Sequence, residues 1–282
     1  MKPPLISILI VTWNNEKDIS GSLKSLLDST YKNFNITLVD NASSDDTVEI
    51  IRKNFPMVHI IKMEENKYYT GGLNAGIKYI QENLSPKYIL FLNADIIADK
   101  NMLQELLNVA EDYEIGGVKL GQMGVLEAGR NLIAVGPKNK YFDDPEKIYS
   151  IGIDFDGFMN ACQHGTGEID KGQFDLPQKV FGVEGTCVLL KVENLKRFGN
   201  KPFWERLKMY YEDVEFFIRA KKFGLVSITA PKAVLYHKVM VSTNQNPMLK
   251  LEEVKKKNWL LIALRHYNLK SKLAMLRKYL FT

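Results

Sequence analysis

The chain has 282 residues, of which 45% are hydrophobic and 25% are charged, and its formal net charge is +5. This is ordinary globular composition, enough for one large domain or for one domain with an appendage. Its two cysteines, Cys162 and Cys187, exclude a disulfide framework and a metal knuckle and favour a reducing compartment. No segment reaches the ~18 apolar residues of a membrane span. The apolar run 5–13 lacks a cleavage site, which predicts a first strand and not a signal peptide.

The positive charge lies at the end of the chain. Residues 250–282 contain nine Lys and Arg against two Glu, a local charge of +7, which leaves −2 of the total of +5 for all other residues. The body of the chain therefore lacks the charge of a nucleic-acid-binding protein, and nucleic acid is not an expected partner.

The first half of the chain alternates between the patterns of strands and helices. Continuous apolar runs predict buried strands at 6–12, 36–40, 58–61 and 87–93. Apolar residues at helical spacing predict helices at 18–29, 43–55, 71–83 and 99–113. This alternation predicts a parallel, doubly wound sheet with ligands at the carboxyl ends of its strands. Ser43 is expected to cap the second helix.

The second half is less regular. Residues 116–178 show scattered Gly, Asp, Asn and Gln without a clear period, and so long an irregular stretch is usually a lid or a binding region. Strand patterns return at 179–191, 225–229 and 233–237. A helix with acidic residues in its first turn is predicted at 209–222, and a basic helical tail begins near Pro247.

Asp40 ends the second predicted strand, in LVDNASSDD. It either satisfies nearby loop amides or accepts a hydrogen bond from the base or ribose of a ligand. A dinucleotide-binding fold also places an acid here, but it requires a Gly-rich turn after the first strand. That turn reads TWNNEKD and has no glycine, which argues against a nicotinamide cofactor and against a nucleotidyltransferase.

Three further positions are candidates for binding. The segment Gly71–Asn74 opens a helix and offers backbone amides to an anion, although paired glycines before a helix are common. The segment Asn93–Asp95 either forms a turn or supplies a carboxylate through which Mg²⁺ bridges protein and substrate phosphates. His237 closes a predicted strand, where it is either a satisfied structural partner or a second metal ligand, since imidazole binds Mn²⁺.

The stretch MYYEDVEFFIRA places Glu212, Asp213 and Glu215 among four aromatic residues. Helix-start charges explain one or two acids. Crowding three acids among aromatic side chains is expected to raise some of their pKa values, which suits a general base. Asp213 is the candidate for that role, and Glu215 is expected to pair with Arg219 one helical turn further on.

Together these stretches resemble the family-2 glycosyltransferases of the GT-A fold over residues 5–240, in the rhamnosyltransferase-like branch of surface-polysaccharide enzymes. The motifs that carry the resemblance are, in order, ISILIVTWNNEKDISGSLKSLL, LVDNASSDDT, GGLNAGI, FLNAD, GTCVLLK and YYEDVEFFIRAKKFG. The resemblance implies an α/β fold, in which a Rossmann-like, mostly parallel central sheet is flanked by helices and followed by a C-terminal helical extension. It implies a catalytic domain over 1–245, of which 1–115 binds the nucleotide sugar and 116–245 the acceptor, and a basic amphipathic tail over 246–282.

The activity that the resemblance implies is transfer of a sugar from a nucleotide-diphosphate donor to a hydroxyl of a glycan or lipid-linked acceptor, with inversion at the anomeric carbon. The branch makes thymidine-diphospho-rhamnose the first expected donor and a uridine-diphosphate hexose the second. An alternative is a catalytically inactive nucleotide-sugar-binding homologue, because Asn93 stands where the family's DXD motif has its first acid. The presence of Asp95, Asp213 and His237 together argues against that alternative.

The resemblance also assigns residues to the donor site. Thr12 and Asp40 match positions that hold the nucleobase and the ribose. Gly72 and Asn74 match a segment near the base and the sugar. Asn93 matches the first position of the DXD motif, where it removes one negative charge.

A divalent cation, Mg²⁺ or Mn²⁺, is the cofactor that the resemblance implies. Asp95 matches the metal-facing acid of the DXD motif, and His237 matches a histidine that completes the metal site. Asp213 matches the catalytic base, which accepts the proton of the acceptor hydroxyl. A direct displacement of this kind needs no nucleophilic carboxylate.

The tail places Leu, Val, Ile and Trp at helical spacing among its basic residues. A basic amphipathic helix with an aromatic residue such as Trp259 is typical of an element that lies on a membrane surface. The alternative is a helix that packs its apolar side on the catalytic domain or on a second subunit. The expected location is the cytoplasm, with peripheral contact to the inner face of the cell membrane left open.

Overall fold

The computed structural model describes residues 3–120, 124–155, 161–239 and 251–268. The elements of the N-terminal half are β1 (Ile6–Thr12), α1 (Ile19–Leu27), β2 (Phe34–Asp40), α2 (Thr47–Asn54), β3 (His59–Lys62), α3 (Tyr68–Asn83), β4 (Tyr88–Asn93), β5 (Ile96–Ala98) and α4 (Met102–Ile115). The elements that follow are β6 (Val118–Leu120), β7 (Gly124–Leu126), β8 (Leu132–Tyr141), β9 (Ile148–Ser150), β10 (Ile153–Phe155), β11 (Ala161–Gln163), β12 (Lys179–Val180), β13 (Cys187–Lys191), α5 (Val192–Leu195), α6 (Glu212–Lys222), β14 (Val226–His237) and α7 (Leu251–His266).

One central sheet of ten strands joins both halves of the chain. Its order is β12-β14-β8-β13-β4-β1-β2-β3, with β5 added on β14 and β9 on β8. The strands β4, β1, β2 and β3 are parallel, and β8 is parallel to β14. Strand β13 runs antiparallel between β4 and β8 and connects the two parallel regions. Because the longest pairings are parallel, the sheet is mostly parallel, as the sequence predicts.

The sequence of β1 explains why helices cover both faces of this sheet. Ile6, Ile8 and Ile10 pack into one hydrophobic cluster with residues of α1 and α4. Leu9 and Val11 point the other way, into a second cluster with residues of α3 and α6. Every residue of β1 is buried, as expected for a continuous apolar run between two helical layers.

Three strand predictions are corrected by the structure. Residues 132–141, predicted to be irregular, form β8, which pairs with β13 and β14 inside the sheet. The predicted strand 179–191 is divided into β12 and β13. The two late strands are one, β14, with a shift in register after Ala230. Strand β8 tolerates a buried Lys138 because its Nζ atom lies 3.1 Å from Asp170 and 2.7 Å from Asp175.

The predicted Ser43 cap is wrong. Helix α2 begins at Thr47, and its N-cap residue, Asp46, makes no side-chain capping bond. The hydroxyl of Ser43 instead accepts the N–H of Asn14 at 2.9 Å, which ties the loop after β2 to the loop after β1.

Helix α7 packs on the body of the domain. Ile262 and Ala263 are buried, and Trp259 stacks on Phe155 of β10 with ring centroids 6.2 Å apart. The described part of the tail therefore packs on the catalytic domain, which is one of the two arrangements that the sequence allows. Residues 246–250 and 269–282 of the predicted tail lie outside the described residues. Within the described ranges, no helix combines the length and the apolar character that crossing a bilayer requires.

Candidate active site

A cavity of about 500 Å³ opens where the carboxyl ends of β1 and β4 meet the second half of the chain. Four of the predicted site residues line it: Asn93, Asp95, Asp213 and His237. Asn93 ends β4 and Asp95 follows it, whereas Asp213 lies in the first turn of α6 and His237 ends β14. The four residues therefore come from three distant parts of the sequence. They meet because ligand-facing residues of an open α/β sheet collect at the carboxyl edge of its strands.

Asp95 and His237 form a buried pair on the wall of this cavity. The chain leaves β4 at Asn93, turns, and forms the short β5, which pairs antiparallel with the end of β14 and sets His237 opposite Ile96. The N–H of Lys238 also donates to the carbonyl of Asp95 at 3.1 Å. This turn brings Nε2 of His237 to 3.4 Å from Oδ1 of Asp95.

The donor types of this pair fit a divalent cation. The carboxylate and the imidazole are each less than a tenth exposed, and Nδ1 of His237 has no hydrogen-bond partner among the described residues. No three His, Cys, Asp or Glu side chains of the described ranges are arranged to hold a metal ion. Two protein donors leave coordination positions open, which suits an ion shared between protein and substrate phosphates.

Asp213 lies in the first turn of α6, and backbone groups fix its carboxylate. Oδ2 accepts the N–H of Gly185 at 3.0 Å, and Oδ1 accepts the N–H of Val214 at 2.7 Å. Gly185 is itself held by Tyr69 of α3, whose hydroxyl donates to its carbonyl at 3.1 Å. The carboxylate therefore has one orientation, with its edge on the cavity.

The turn before α6 has an uncommon backbone. Lys208, Tyr210 and Tyr211 have φ values of 62°, 68° and 63°, although none of them is a glycine. Each such residue costs about 1–3 kcal/mol and persists only where surrounding contacts hold it. The predicted helix 209–222 therefore begins three residues later than its pattern indicates, because this turn presents Glu212 and Asp213 to the cavity.

Glu184 is a fourth acid in the cavity, and no pattern in the sequence singles it out. It stands in the loop between β12 and β13, one residue before Gly185. Its Oε2 atom accepts the N–H of Thr186 at 3.1 Å and the amide of Asn139 on β8 at 3.2 Å. Only the folded sheet brings this carboxylate beside Asp213.

Burial and charge change the acidity of these carboxyl groups. Burial, followed by the repulsion of Glu184, raises the pKa of Asp213 above its ordinary value. Burial, followed by the repulsion of Asp213, raises the pKa of Glu212, whose Oε2 atom has no partner among the described residues. Burial also raises the pKa of Glu184, with His237 acting in the opposite direction. A raised pKa at a positioned carboxylate is typical of a general base.

Thr12 and Asp40 lie next to this cavity at the same edge of the sheet. They are paired in the register of β1 and β2. The hydroxyl of Thr12 donates to Oδ1 of Asn15 at 2.8 Å, and Asn15 lines the cavity. Both carboxylate oxygens of Asp40 lie 3.3 Å from the N–H of Ser43. Of the two roles that the sequence allows for Asp40, the structure shows the first: its carboxylate accepts a hydrogen bond from a loop amide.

Gly72 and Asn74 are not brought to the cavity. A Cβ atom at Gly72 would lie 2.5 Å from Cγ1 of Val11, so the glycine permits the close packing of α3 on β1. The side chain of Asn74 is hydrogen-bonded to the backbone of Phe203: its Nδ2 donates to the carbonyl at 2.8 Å, and its Oδ1 accepts the N–H at 3.0 Å. Both residues therefore fix the position of α3.

The predicted pair of Glu215 and Arg219 is present, with 2.7 Å between their charged atoms. Glu215 is fully buried and also binds Arg265 and His266 of α7, at 3.2 and 3.0 Å. Near the other end of the same helix, Lys255 lines the cavity. Lys255 is the single basic Lys or Arg among the described lining residues, which otherwise carry four acids.

Comparison with known proteins identifies the family. The model of the family described as Glycosyl transferase family 2 matches residues 7–199. The low-salt glycan biosynthesis hexosyltransferase Agl10 of Haloferax volcanii is 25% identical over 222 residues, which are 77% of this chain and 62% of that protein. The N-acetylglucosaminyl-diphospho-decaprenol L-rhamnosyltransferase of Mycobacterium tuberculosis is 22% identical over 282 aligned residues, which are 93% of this chain and 85% of that protein.

A solved structure shows the same fold. The crystal structure of GalNAc-T7 with UDP, GalNAc and Mn²⁺ superposes with a TM-score of 0.66 at 14% identity, over 93% of this chain and 48% of that chain. The chain thus spans less than two thirds of the haloarchaeal relative and about half of GalNAc-T7. The family match covers more than half of the chain, including the strands that deliver Asn93 and Asp95. The chain therefore belongs to glycosyl transferase family 2 and has the GT-A fold that its sequence motifs predict.

Proposed function

We propose that this chain is a metal-dependent inverting glycosyltransferase, which moves a sugar from a nucleoside-diphosphate donor to a hydroxyl of a glycan or lipid-linked acceptor. The observation that carries the proposal is the convergence of Asp95, His237 and Asp213 on one cavity. They give it two donors for a cation and one positioned carboxylate with a raised pKa. These groups suffice for a single displacement, which needs a base but no protein nucleophile.

Asp95 and His237 would hold Mg²⁺ or Mn²⁺ together with oxygens of the donor diphosphate. When bound, the cation neutralises the charge that grows on the diphosphate as the glycosidic bond breaks. GalNAc-T7, which shares the fold, was crystallised with UDP and Mn²⁺, and this supports the choice of cofactor.

Asp213 accepts the proton of the acceptor hydroxyl as that oxygen attacks the anomeric carbon. Its bonds to the N–H groups of Gly185 and Val214 hold the carboxylate in place. Its raised pKa makes it a stronger base than an ordinary aspartate. A general base contributes about 10²–10⁴-fold to the rate of such a step.

The donor nucleotide would lie over the edge formed by Thr12, Asp40 and Asn93. Thymidine-diphospho-rhamnose is the first candidate, supported by the name of the mycobacterial L-rhamnosyltransferase. A uridine-diphosphate hexose is the second; the name of the haloarchaeal hexosyltransferase supports the hexose, and the UDP in the GalNAc-T7 structure supports the nucleotide. Gly72 and Asn74 would support this site by fixing α3.

The acceptor would approach from the part of the cavity that the second half of the chain lines. Tyr149, Gln163 and Tyr210 provide polar and aromatic groups there. The mycobacterial relative is named for an acceptor in which a sugar is linked to a lipid through a diphosphate, and this supports a lipid-linked acceptor. Such an acceptor would bring the chain to a membrane surface.

The alternative is a homologue that binds a nucleotide sugar without transferring it, and Asn93 in place of an acid favours it. A panel of nucleotide sugars tests both, with melting temperature measured in Mn²⁺ and in chelator and with sugar release measured in parallel. One donor is expected to raise the melting temperature by mass action, in Mn²⁺ only, and to be turned over. Binding without turnover on any glycan or lipid-linked acceptor would favour the inactive homologue, and no binding would contradict both.

A further inference from the structure

We infer that Asn258 of α7 is a positioning residue for the active site: it holds the turn 207–211, which sets the start of α6 and the direction of Asp213. This rests on the proposed function, because it takes Asp213 as the base. Asn258 does not line the cavity, so its effect on the chemistry passes through the turn.

The amide of Asn258 binds three backbone carbonyls of the turn. Its Nδ2 atom lies 2.9, 2.8 and 2.9 Å from the carbonyl oxygens of Leu207, Met209 and Tyr210, which share its two N–H donors. The side chain is buried, with 2% of its surface exposed. The opposite orientation of the amide would set Oδ1 against three carbonyl oxygens, so hydrogen bonding fixes the group in one way.

The turn is held from outside at four successive residues. The carbonyl of Lys208, which Asn258 does not bind, accepts the N–H and the hydroxyl of Thr70 at 3.0 and 3.1 Å. All four carbonyls from 207 to 210 thus bind α3 or α7. Three positive φ angles in the same stretch require such contacts, because an unsupported turn would relax to ordinary backbone angles.

Helix α7 contacts residues that lie before and after Asp213 in the sequence. Before it, Trp259 packs on Tyr211 with ring centroids 4.9 Å apart. After it, Arg265 and His266 bind the buried Glu215. Loss of the Asn258 amide would therefore free the turn while α7 stays docked, and Asp213 would lose its fixed direction without any group leaving the cavity.

The experiment compares Asn258→Ala with Lys256→Ala, a change at an exposed residue of the same helix. For Asn258→Ala we expect kcat to fall about 10²-fold, the effect of a small misplacement of a reacting group. The KM for the donor and the affinity for the nucleoside diphosphate with Mn²⁺ should stay unchanged. Lys256→Ala should match the wild type in every measurement.

The pH profile of kcat separates positioning from mere stability. A freed turn lets water reach Asp213, so its acid limb should move to lower pH. The charged groups that face Asp213 stay the same in both variants: Asp95, Glu184, Glu212, His237 and Lys255. A purely structural role would lower the melting temperature but leave the acid limb and the kcat of the folded fraction in place, which would overturn the inference.

Asn258→Ser keeps the test decisive if the alanine variant does not fold. Its hydroxyl retains one shorter donor, so an intermediate kcat is expected, and a wild-type kcat with a wild-type acid limb would overturn the inference. A wild type that transfers no sugar from any donor would contradict the proposed function instead. If the wild type transfers sugar and the Asn258→Ala variant is equally active, only the role of Asn258 would be contradicted.

Discussion

Nε2 of His237 lies 3.4 Å from Oδ1 of Asp95, although His237 ends β14 and Asp95 lies in the turn between β4 and β5. The contact exists because β5 turns back from β4 and pairs with β14. Both side chains are buried at the wall of the cavity, where Asp95 is 5% and His237 6% exposed. This contact leads us to expect that both side chains are needed to bind the cation.

Asp95→Asn and His237→Ala are each expected to abolish the Mn²⁺-dependent stabilisation of the chain by its nucleoside diphosphate. In the wild type, a ligand at 100 times its Kd adds about 2.7 kcal/mol to the free energy of unfolding. Melting curves with nucleotide, in Mn²⁺ and in chelator, measure the difference. Asp143→Asn, a change at an exposed carboxylate, is the control and should keep the full effect. Stabilisation that survives in both site variants would place the cation elsewhere.

Asp213→Asn is expected to lower kcat by about 10²–10⁴-fold, because the amide cannot accept the proton of the acceptor hydroxyl. Donor affinity should be retained, since Asp213 faces the acceptor and not the diphosphate in the proposed mechanism. Single-turnover transfer and nucleotide binding measure the two effects separately. Near-normal turnover would exclude Asp213 as the base.

Glu184→Gln is expected to move the acid limb of the kcat–pH profile to lower pH. Glu184 repels the ionised form of Asp213 and so helps to raise its pKa. The base acts when ionised, so activity is lost as pH falls through that raised pKa, and removing the repulsion lowers the pH of the loss. The measurement is kcat from pH 4 upward at saturating substrate, with Glu127→Gln at an exposed site as control. An unchanged limb would mean that Glu184 does not act on Asp213.

Gly72→Ala is expected to destabilise the chain by about 1–3 kcal/mol, the usual range for overpacking a core. Its new Cβ would lie 2.5 Å from Cγ1 of Val11 and push α3 away from β1. Urea unfolding measures the change. Gly116→Ala is the matched control, because no atom lies within 4 Å of its added Cβ. A stable Gly72→Ala variant with weakened donor binding would instead support direct contact between this glycine and the donor.

Strands β1 and β4 can be predicted from the apolar pattern of the sequence, whereas β8 cannot. The runs at β1 and β4 are continuous and apolar, so both strands and the polar residues at their ends follow from sequence alone. The sequence predicts an irregular segment where β8 lies, because Gly, Asp, Asn and Gln are scattered through residues 116–178 without a clear period. Its burial depends on pairing with β13 and β14 and on two aspartates that neutralise Lys138.

The sequence by itself determined the family and the mostly parallel sheet, and the resemblance of its motifs predicted that Asn93, Asp95, Asp213 and His237 belong to one site. Local patterns were enough for the strands, because the apolar run of a buried strand is continuous in the chain, whereas the four residues were grouped by their match to the family's motifs. Only the tertiary structure decided that Glu184 stands beside Asp213 and that an amide from α7 holds the turn before α6. Those contacts join segments far apart in sequence, and their strength comes from burial and from converging hydrogen bonds that exist only after the chain has folded.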